Sequence, residues 1–567
     1  MYKQVLDPVG NSLFLSTLFA ALPLVTLFVL LGGLKLKAHV AALWSLLVAI
    51  LVALIVYSMP LGQTLDSGLE GAAFGLFPIM WIVVNCIWIY NMLERSGYFA
   101  VIKRSFGRLS EDERVQAVLI AFCFGALLEA LAGFGTPVAI CSVMLMGLGF
   151  RPAKAAAVSL VANTAPVAFG AIAVPITTLA PLANLPKDDL GAMVGRQTPF
   201  LALVVPLILI GMVDGRRGIK QAWPVAAWGG LAFAIGQWAC SNYLSVELAD
   251  IVASLLSAGA IIALLQVWQP GEILTAEVDA GVRPAMAGGE SGTDQRRFEK
   301  EAQLRAGASS DGTVTRDTPG EIITAFSPYI MIIAVFALAQ IHWLPFFDWL
   351  DARTKAFDWP GLDILNAKGK APTAVTFKFN WANAAGTLLL VAGLLSMITL
   401  RVSARRSLEA YVATLKQLKY AILTVATVLA LAYVMNLSGQ TITIGNWLAG
   451  AGAAFALLSP ILGWLGVAVT GSDTSSNALF GALQVSAAEK ANLSPMLMAA
   501  SNSSGGVLGK MISPQNLAIG AAAVGMAGQE GELFRRVVKW SLILLAAMVV
   551  IVYLQSTSVL SWMVVGS

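Results

Sequence analysis

The chain has 567 residues, of which 57% are hydrophobic and only 12% are charged, and its formal net charge is +4. Soluble domains carry about 25% charged residues, so this composition excludes a soluble globular protein and indicates a polytopic membrane protein. The basic residues lie in short loops between apolar segments, which argues against nucleic-acid binding.

A transmembrane helix needs about 20 mostly apolar residues, and the sequence predicts about twelve such helices. In chain order they are 12–33, 39–58, 72–94, 155–182, 197–213, 222–240, 248–268, 322–341, 382–400, 420–438, 495–524 and 540–562. Two further apolar stretches, 115–149 and 447–490, each contain a polar interruption and are long enough to enter the membrane and turn back. We therefore expect an all-α fold with about twelve transmembrane helices and two re-entrant hairpins.

The distribution of positive charge tests this topology, because Lys and Arg concentrate in cytoplasmic loops. With the N-terminus outside and both stretches treated as hairpins, most of the 36 Lys and Arg residues fall on the cytoplasmic side. If either stretch crossed the membrane once, its downstream loops would change sides and the bias would weaken. The prediction is an inverted repeat, with the first hairpin entering from the cytoplasm, the second from outside, and both termini outside.

The same pattern predicts two membrane halves, 1–268 and 321–567, joined by residues 269–320. The joining segment is charged, rich in Gly and poor in large apolar residues, which is typical of a disordered cytoplasmic linker. In the second half, residues 342–381 combine aromatic side chains with scattered charges. We expect them to form an external loop packed at the membrane interface.

Two matched interruptions are the most informative pattern for function. Residues 133–137 (GFGTP) are followed by 163–166 (NTAP), and 471–477 (GSDTSSN) are followed by 502–506 (NSSGG) at a similar spacing. Such residues leave backbone groups unpaired, which is tolerated at membrane depth only where protein or a watery cavity surrounds them. Corresponding breaks in two halves of a chain indicate the binding site of a secondary transporter.

These breaks favour an anionic ligand, because a helix that restarts after a break presents free N–H groups and a positive dipole end. Nearby hydroxyl and amide groups could bind the carboxylate and hydroxyl of a small hydroxy-acid. The candidate substrate-binding residues are Thr136, Asn163, Thr164, Thr474, Ser475, Ser476, Asn502, Ser503, Ser504 and Lys510. The alternative is that these small residues only let helices pack closely.

Glu129, Asp473 and Lys510 are ionisable side chains within predicted membrane depth. A charge at a helix centre costs about 2.5–3.5 kcal/mol on the insertion scale, so each is a candidate functional group. Glu129 or Asp473 could carry a coupled proton, because removal from water favours the neutral form of a carboxyl group. Alternatively, Glu129 pairs with Lys510 or a backbone amide, and Asp473 caps the next helix. Lys510 could attract an anionic substrate or serve as a structural counter-ion.

Other chemistries lack their motifs. The four cysteines lie inside apolar segments without a CxxC pair, and only two histidines are present, so neither a metal centre nor another cofactor is expected. No GxxxxGK[ST] loop occurs, which argues against an ATP-driven pump. A nucleophile with a neighbouring base is also missing from the sequence pattern, so we expect no enzyme.

Several motifs are similar to those of the bacterial L-lactate permease family, and the likeness extends over most of the chain outside 269–320. They lie at 124–140 (with AGFGTPVAI), 163–170, 193–197, 462–466, 470–480 (TGSDTSSNALF) and 509–515 (GKMISPQ). The resemblance implies a carrier in the bacterial inner membrane that takes up L-lactate with protons and also accepts D-lactate and glycolate. It further implies kinship with transporters whose paired hairpins hold the substrate.

The expected function is therefore hydroxy-monocarboxylate/proton symport, with Glu129 or Asp473 binding the proton. A Na⁺-coupled small-carboxylate transporter, with Asp473 and unwound carbonyl groups at the cation site, remains the alternative. The expected partners are lactate, glycolate, protons and the lipid bilayer.

Overall fold

The computed structural model describes residues 2–133, 135–274, 317–339, 349–350, 352–367 and 369–566. These residues are mostly helical, as the composition predicts. Two small sheets are also present: β1 (Tyr2–Lys3) pairs in parallel with β3 (Ile364–Leu365), and β2 (Lys355–Asp358) pairs antiparallel with β4 (Thr376–Phe379).

Among its described residues, the first half contains fourteen α-helices, and the first interruption lies between the eighth and the ninth. They are α1 (Leu13–Ala20), α2 (Leu22–Phe28), α3 (Ala38–Ile55), α4 (Leu61–Phe74), α5 (Trp81–Arg95), α6 (Tyr98–Gly107), α7 (Glu113–Gln116), α8 (Gly125–Ala132), α9 (Thr136–Gly147), α10 (Pro152–Ala162), α11 (Gly170–Ala183), α12 (Lys187–Val194), α13 (Pro199–Tyr243) and α14 (Ala249–Val267). A π-helical segment, Ala117–Phe124, joins α7 to α8, so the helix runs without a gap from residue 113 to residue 132.

The second half repeats this plan with fewer helices. They are α15 (Pro319–Ala339), α16 (Ala385–Thr399), α17 (Ala404–Ser438), α18 (Gln440–Leu448), α19 (Phe455–Thr470), α20 (Asp473–Lys490), α21 (Pro495–Gly509), α22 (Pro514–Ala523) and α23 (Glu530–Gln555).

Among the described residues, ten helices are long and apolar enough to cross a membrane, or eleven if one bent pair counts as a span. The sequence predicts about twelve. The ten helices include Glu113–Ala132 and Gln440–Thr470, which overlap the predicted hairpin stretches, and Lys187–Tyr243 counts once although it contains two predicted spans. The spans 197–213 and 222–240 are the two arms of α13, which folds back on itself at Asp214 and Gly215. Thr198 Oγ1 donates to Gln237 Oε1 at 2.9 Å across the two arms, whereas a continuous helix would separate these residues by about 58 Å. The span 382–400 forms a helix of 15 residues, and 495–524 is divided between α21 and α22.

Both predicted hairpins fold back on themselves. The Cys141 thiol lies 3.2 Å from the carbonyl oxygen of Ile120, whereas a continuous helix would separate residues 21 positions apart by about 31 Å. In the second half, Ser459 Oγ donates a 2.7 Å hydrogen bond to Gln484 Oε1, in place of a separation of about 37 Å. We call Glu113–Gly147 the first hairpin and Phe455–Lys490 the second hairpin.

The first break, by which we mean residues 163–166 between the two parts of a bent helix, lies where the sequence predicts it. Helix α10 ends at Ala162, and the chain bends by 65° before continuing from Val167 to Ala183. Ala171, Ile172 and Ala173 then adopt positive φ values of 46°, 57° and 56°. Left-handed backbone is costly for residues with a side chain, above all for β-branched Ile, and such strain clusters at functional sites.

The second break is not at 502–506, and that prediction is wrong. Helix α21 continues through these residues to Gly509, and the interruption comes at the short turn Lys510–Ile512. Asn502 and Ser503 satisfy their side chains within the protein, by bonds to Asn477, Gln484 and Asp473. Gly505 instead permits close packing, because a Cβ atom there would lie 2.2 Å from the carbonyl oxygen of Pro460.

The two halves are packed reciprocally around the breaks. Gly135, at the tip of the first hairpin, lies against Ile519 of α22, the helix that follows the second break. In the second hairpin, Asn477 Nδ2 donates to the carbonyl oxygen of Pro175 in α11, after the first break, at 3.2 Å. Each hairpin therefore contacts the post-break helix of the other half, as an inverted repeat requires.

Loops that the topology places on one face do meet. Arg114 at the start of the first hairpin pairs with Asp112 at 2.6 Å and Asp214 at 3.2 Å, and it donates to the carbonyl oxygen of Glu272 at 2.5 Å. Burial disfavours ionisation of Asp112, but hydrogen bonds from Arg114 and from the Leu274 amide outweigh it and hold the pKa of Asp112 below its usual range. This buried network fixes the base of the first hairpin.

Two predicted segments fall largely or partly outside the described residues. Of the 269–320 linker, 275–316 lie outside them, and its ends are attached through Glu272 and through Asp317, whose carboxylate pairs with Arg104 at 2.5 Å. Of the 342–381 loop, 342–348, 351 and 368 lie outside them. The described part of this loop forms β2, β3 and β4, and its pairing with β1 places it on the same face as the N-terminal strand.

Candidate functional site

The tips of the two hairpins meet at Asn516 in the first turn of α22. Asn516 Nδ2 donates to the carbonyl oxygen of Gly471 at 3.3 Å, and its Oδ1 lies 3.4 Å from where a Cβ atom of Gly135 would be. Ile519 Cδ1 would be only 2.4 Å from that Cβ, and Gly135 has a φ of +87°. Glycine is therefore required at this tip. Phe134, between Gly133 and Gly135, is outside the described residues.

A cavity of about 50 Å³ lies between the two tips. Its wall combines both hairpin tips with the residues that follow each break. The lining residues are Glu129, Gly133, Val167, Gly170, Ala171, Val174, Pro175, Gly471, Ser472, Asp473, Thr474, Lys510 and Gln515. The interruptions of both halves therefore contribute to one small polar site.

A buried ion pair joins the halves at this cavity. Lys510 Nζ lies 2.6 Å from Glu129 Oε1, although 381 residues separate them in sequence. Both residues are almost fully buried, with 7% and 3% of their surface exposed. The structure thus shows the alternative in which Glu129 pairs with Lys510.

The second oxygen of Glu129 is held by the first break. Asn163 Nδ2, at the end of α10, donates to Glu129 Oε2 at 2.8 Å. Gly133 and Gly170 flank the carboxylate closely: a Cβ atom on Gly170 would lie 2.8 Å from Oε1, and one on Gly133 would lie 3.2 Å from it. These two glycines, one at the hairpin tip and one at the start of α11, thus leave room for the Glu129 carboxylate.

Local sequence explains the position of Lys510. Ser513 accepts a hydrogen bond from the Asn516 amide and so caps α22, and Pro514 occupies its first turn. Serine is favoured at a helix N-cap and proline at the first helical position. The sequence KMISP therefore ends one helix and starts the next, and it leaves Lys510 at the turn beside the cavity.

Asp473 is the second carboxyl group of the cavity. Its Oδ2 accepts hydrogen bonds from Ser503 Oγ at 2.6 Å and Asn477 Nδ2 at 3.4 Å. Its Oδ1 has no hydrogen-bond partner among the described residues. The N-cap of α20 is Ser472, whose hydroxyl accepts from the Ser475 amide at 3.2 Å. The alternative that Asp473 caps this helix is therefore wrong.

The remaining candidates divide into three groups. Thr474 lines the cavity, whereas Asn163 and Ser503 support its carboxylates. A second group does not line the cavity. In this group, Thr164 donates to Val161 O at 2.7 Å, Ser476 to Gly463 O at 3.2 Å, and Asn502 to Asn477 Oδ1 at 2.8 Å. The backbone amide of Ser475 donates to Ser472 Oγ, and Ser504 Oγ has no partner among the described residues. For this second group, the close-packing alternative describes the structure better.

Thr136 forms the third group by itself, because it lines a different space. It lines an open vestibule of about 530 Å³, together with Asn91, Glu94, Arg95 and Gln417. Gly135 and Ile519 also line this vestibule, and neither of them lines the cavity. We refer to these two spaces as the vestibule and the cavity.

Sequence reasoning did not select Ser472 and Gln515, which line the cavity. Gln515 directly follows the second break, and a polar residue there was a usable signal once the break was placed at Lys510. Among the described residues, no cluster of three or more His, Cys, Asp or Glu side chains could hold a metal ion.

Two opposed hairpins, paired breaks and a polar cavity between them define this chain as a polytopic helical membrane transporter. It belongs to the L-lactate permease family, whose sequence model matches residues 16–559.

Curated relatives match over nearly the full length. The L-lactate permease of Escherichia coli (strain K12) is 40% identical over 578 residues, covering 100% of both chains. That of Bacillus subtilis (strain 168) is 40% identical over 581 residues, covering 99% of this chain and 100% of the relative. The glycolate permease GlcA of Escherichia coli (strain K12) is 41% identical over 569 residues, covering 98% of each.

Solved structures with a more distant likeness include the YdaH transporter of Alcanivorax borkumensis, at 14% identity and a TM-score of 0.43, covering 86% of each chain. Neisseria gonorrhoeae MtrF, from a class of antimetabolite efflux pumps, matches at 16% identity and a TM-score of 0.45, covering 87% of this chain and 84% of its own.

Proposed function

We propose that this protein takes up L-lactate, and also D-lactate and glycolate, across the bacterial inner membrane by proton symport. The names of its relatives support the substrate class. The observation that supports proton coupling is the buried Glu129–Lys510 pair at the wall of the cavity between the hairpin tips.

The pair suggests how a substrate anion and a proton become coupled. The Lys510 ammonium group has three donors, and the carboxylate of lactate replaces that of Glu129 as its partner. A buried carboxylate that has lost its counter-charge is strongly destabilised, so Glu129 then takes up a proton. Lys510, Glu129 and the bound lactate together hold one positive and one negative charge, as the Glu129–Lys510 pair does before loading, and transport of one lactate with one proton moves no net charge.

The other cavity groups fit the rest of a 2-hydroxy-acid. Asp473, whose Oδ1 has no partner among the described residues, would accept a hydrogen bond from the substrate hydroxyl, and Thr474 and Gln515 add polar groups at the same wall. Asn163 orients the Glu129 carboxylate and Ser503 that of Asp473. Asp473 is also the competing choice for the transported proton.

Substrate access requires the hairpin tips to separate. The cavity is small, at about 50 Å³, and residues of both tips line it, so we expect it to widen when a substrate enters. Movement of the first tip away from Ile519 and Asn516 would join the cavity to the vestibule.

The decisive experiment is uptake of labelled lactate into proteoliposomes with pH and Na⁺ gradients imposed separately. Wild-type accumulation is expected to follow the pH gradient and to persist without Na⁺, and a strict Na⁺ requirement would replace the proposal with the Na⁺-coupled alternative. A lactate-evoked current would contradict the one-to-one stoichiometry.

Glu129→Gln and Asp473→Asn assign the proton within this assay. We expect Glu129→Gln to abolish accumulation driven by the pH gradient while lactate/lactate exchange persists, because exchange needs no net proton movement. Exchange also serves as the control for folding. Wild-type accumulation by Glu129→Gln, together with its loss in Asp473→Asn, would transfer the proton to Asp473.

A further inference from the structure

A third buried carboxyl group lies beside the first hairpin and does not line the cavity. Asp250, in the first turn of α14, is fully buried. Its Oδ1 accepts a hydrogen bond from Gln237 Nε2 at 3.1 Å, and its Oδ2 has no hydrogen-bond partner among the described residues. An unpaired ionised carboxylate is very costly in such a place, so Asp250 needs a proton or a cation.

Helix α14 runs antiparallel to the first arm of the hairpin and brings Asp250 level with Glu129. The Leu274 carbonyl oxygen accepts from the Glu113 amide at 2.9 Å, and Ser257 Oγ lies 3.2 Å from Cys123 Sγ. Seven residues before Ser257 is Asp250. Seven residues after Cys123 is Ala130, the neighbour of Glu129. The two carboxyl groups are thus at one height on packed helices, whose axes lie about 8–10 Å apart.

A line of polar groups connects them. Gln237 Nε2 also lies 3.4 Å from the carbonyl oxygen of Ala165 in the first break, and Gln237 Oε1 accepts from Thr198 Oγ1 at 2.9 Å. Two residues before Ala165, Asn163 donates to Glu129, and its own Oδ1 has no partner among the described residues. The first break therefore contacts both groups: Ala165 lies beside Gln237, the partner of Asp250, and Asn163 binds Glu129.

We propose that Asp250 is a second proton-binding group of the transport cycle, which delivers a proton to Glu129 when lactate displaces it from Lys510. The O–H bond of Asp250 breaks and an O–H bond forms on Glu129, through a bridging water, and Asp250 then regains a proton from solvent. This inference rests on the proposed proton symport and adds the group that supplies the proton.

The surroundings of Asp250 fit this role. Glu129 and Lys510 are the charged groups that act on it from the hairpin and the second break. Helix α13 presents the neutral groups Gln237, Thr198 at its N-terminal end, and Cys240. Glu247, three residues earlier, is already paired with Lys187. If Asp250 only stabilised the N-terminus of α14 through the helix dipole, its replacement would leave proton coupling unchanged.

The test compares Asp250→Asn with wild type in proteoliposomes that contain a pH-sensitive dye, so that proton influx and labelled lactate are measured together. We expect Asp250→Asn to keep lactate/lactate exchange and to lose at least about tenfold in the rate of pH-driven net uptake, as for removal of a proton-transfer group. Asp189→Asn, which removes an exposed carboxylate of α12, is the matched control and should match wild type.

The possible failures are distinguishable. Absence of lactate-dependent proton influx in wild type would overturn the proposed symport itself. Wild-type net uptake by Asp250→Asn, with normal proton influx, would overturn only the role of Asp250. Loss of exchange together with net uptake would also overturn it, because the residue would then be needed for folding or substrate passage rather than for proton delivery.

Discussion

At the scale of single residues, the Glu129–Lys510 pair is the feature on which both halves depend. Buried ion pairs contribute little net stability, since desolvation offsets the attraction, but removal of one partner leaves an uncompensated charge. The pair joins the first hairpin to the turn after α21. The pair thus fixes how the two halves are arranged relative to each other. In the proposed cycle, Glu129 is also the partner of Lys510 that a substrate carboxylate replaces.

This asymmetry predicts a thermal-stability result. Lys510→Met should destabilise the protein by about 3–5 kcal/mol, whereas Glu129→Gln/Lys510→Met should recover most of that loss. Arg405→Met, which breaks an exposed pair with Glu409, should cost less than about 1 kcal/mol. Unfolding of the detergent-purified variants measures all three. Equal losses in the single and double variants would show that the pair is not the reason for the instability.

At the scale of elements, glycine lets α21 lie directly against α19 of the second hairpin. A Cβ atom on Gly463 would be 2.0 Å from the carbonyl oxygen of Asn502, and one on Gly505 would be 2.2 Å from that of Pro460. Small residues allow such close contact between helix backbones in membranes. The residues 502–506, interpreted from sequence as a break, instead form a packing seam that holds Ser503 against Asp473.

Gly505→Ala should therefore separate α21 from α19. Because the obstructing atom belongs to the backbone, we expect a destabilisation of about 1–3 kcal/mol, as for other overpacked interiors, with weaker lactate uptake. Gly450→Ala is the control, since no atom lies within 4 Å of its added Cβ. The unfolding temperature and the uptake rate of the two variants provide the comparison, and similar values for both would contradict the seam.

At the scale of the whole molecule, an open vestibule and a small cavity lie at the tip of the first hairpin. The vestibule reaches the tip of the first hairpin beside Glu94 and Arg95, at the end of α5 that the charge bias places in the cytoplasm. Gly133 of the same tip lines the cavity, whereas Gly135 and Ile519 line the vestibule. We therefore expect the vestibule to be the approach to the cavity from this face.

Cysteine labelling tests both the accessibility of the vestibule and the predicted orientation of the protein in the membrane. Thr136→Cys should react with a membrane-impermeant maleimide in inside-out vesicles but not in right-side-out vesicles, because Thr136 lines the vestibule. Thr164→Cys, at a fully buried position, should react in neither. The four native cysteines are buried and should give a low background. Labelling of Thr136→Cys only from outside would reverse the predicted topology.

The sequence alone determined the features that depend on composition and local pattern. Apolar stretches set the helical membrane fold, the GFGTP and GSDTSSN motifs located both hairpin tips, and charge at membrane depth selected Glu129, Asp473 and Lys510. These follow from the cost of placing polar groups in hydrocarbon, which acts on each segment separately.

Only the tertiary structure decided which of these polar groups meet. Glu129 and Lys510 are 381 residues apart in sequence, and Asp250 became a candidate only because α14 packs beside the first hairpin. The second break lies at Lys510 and not at the predicted residues 502–506, where Asn502 and Ser503 have hydrogen-bond partners on α20. The partner of a buried polar group is chosen by packing between distant segments, and a local pattern contains no information on that choice.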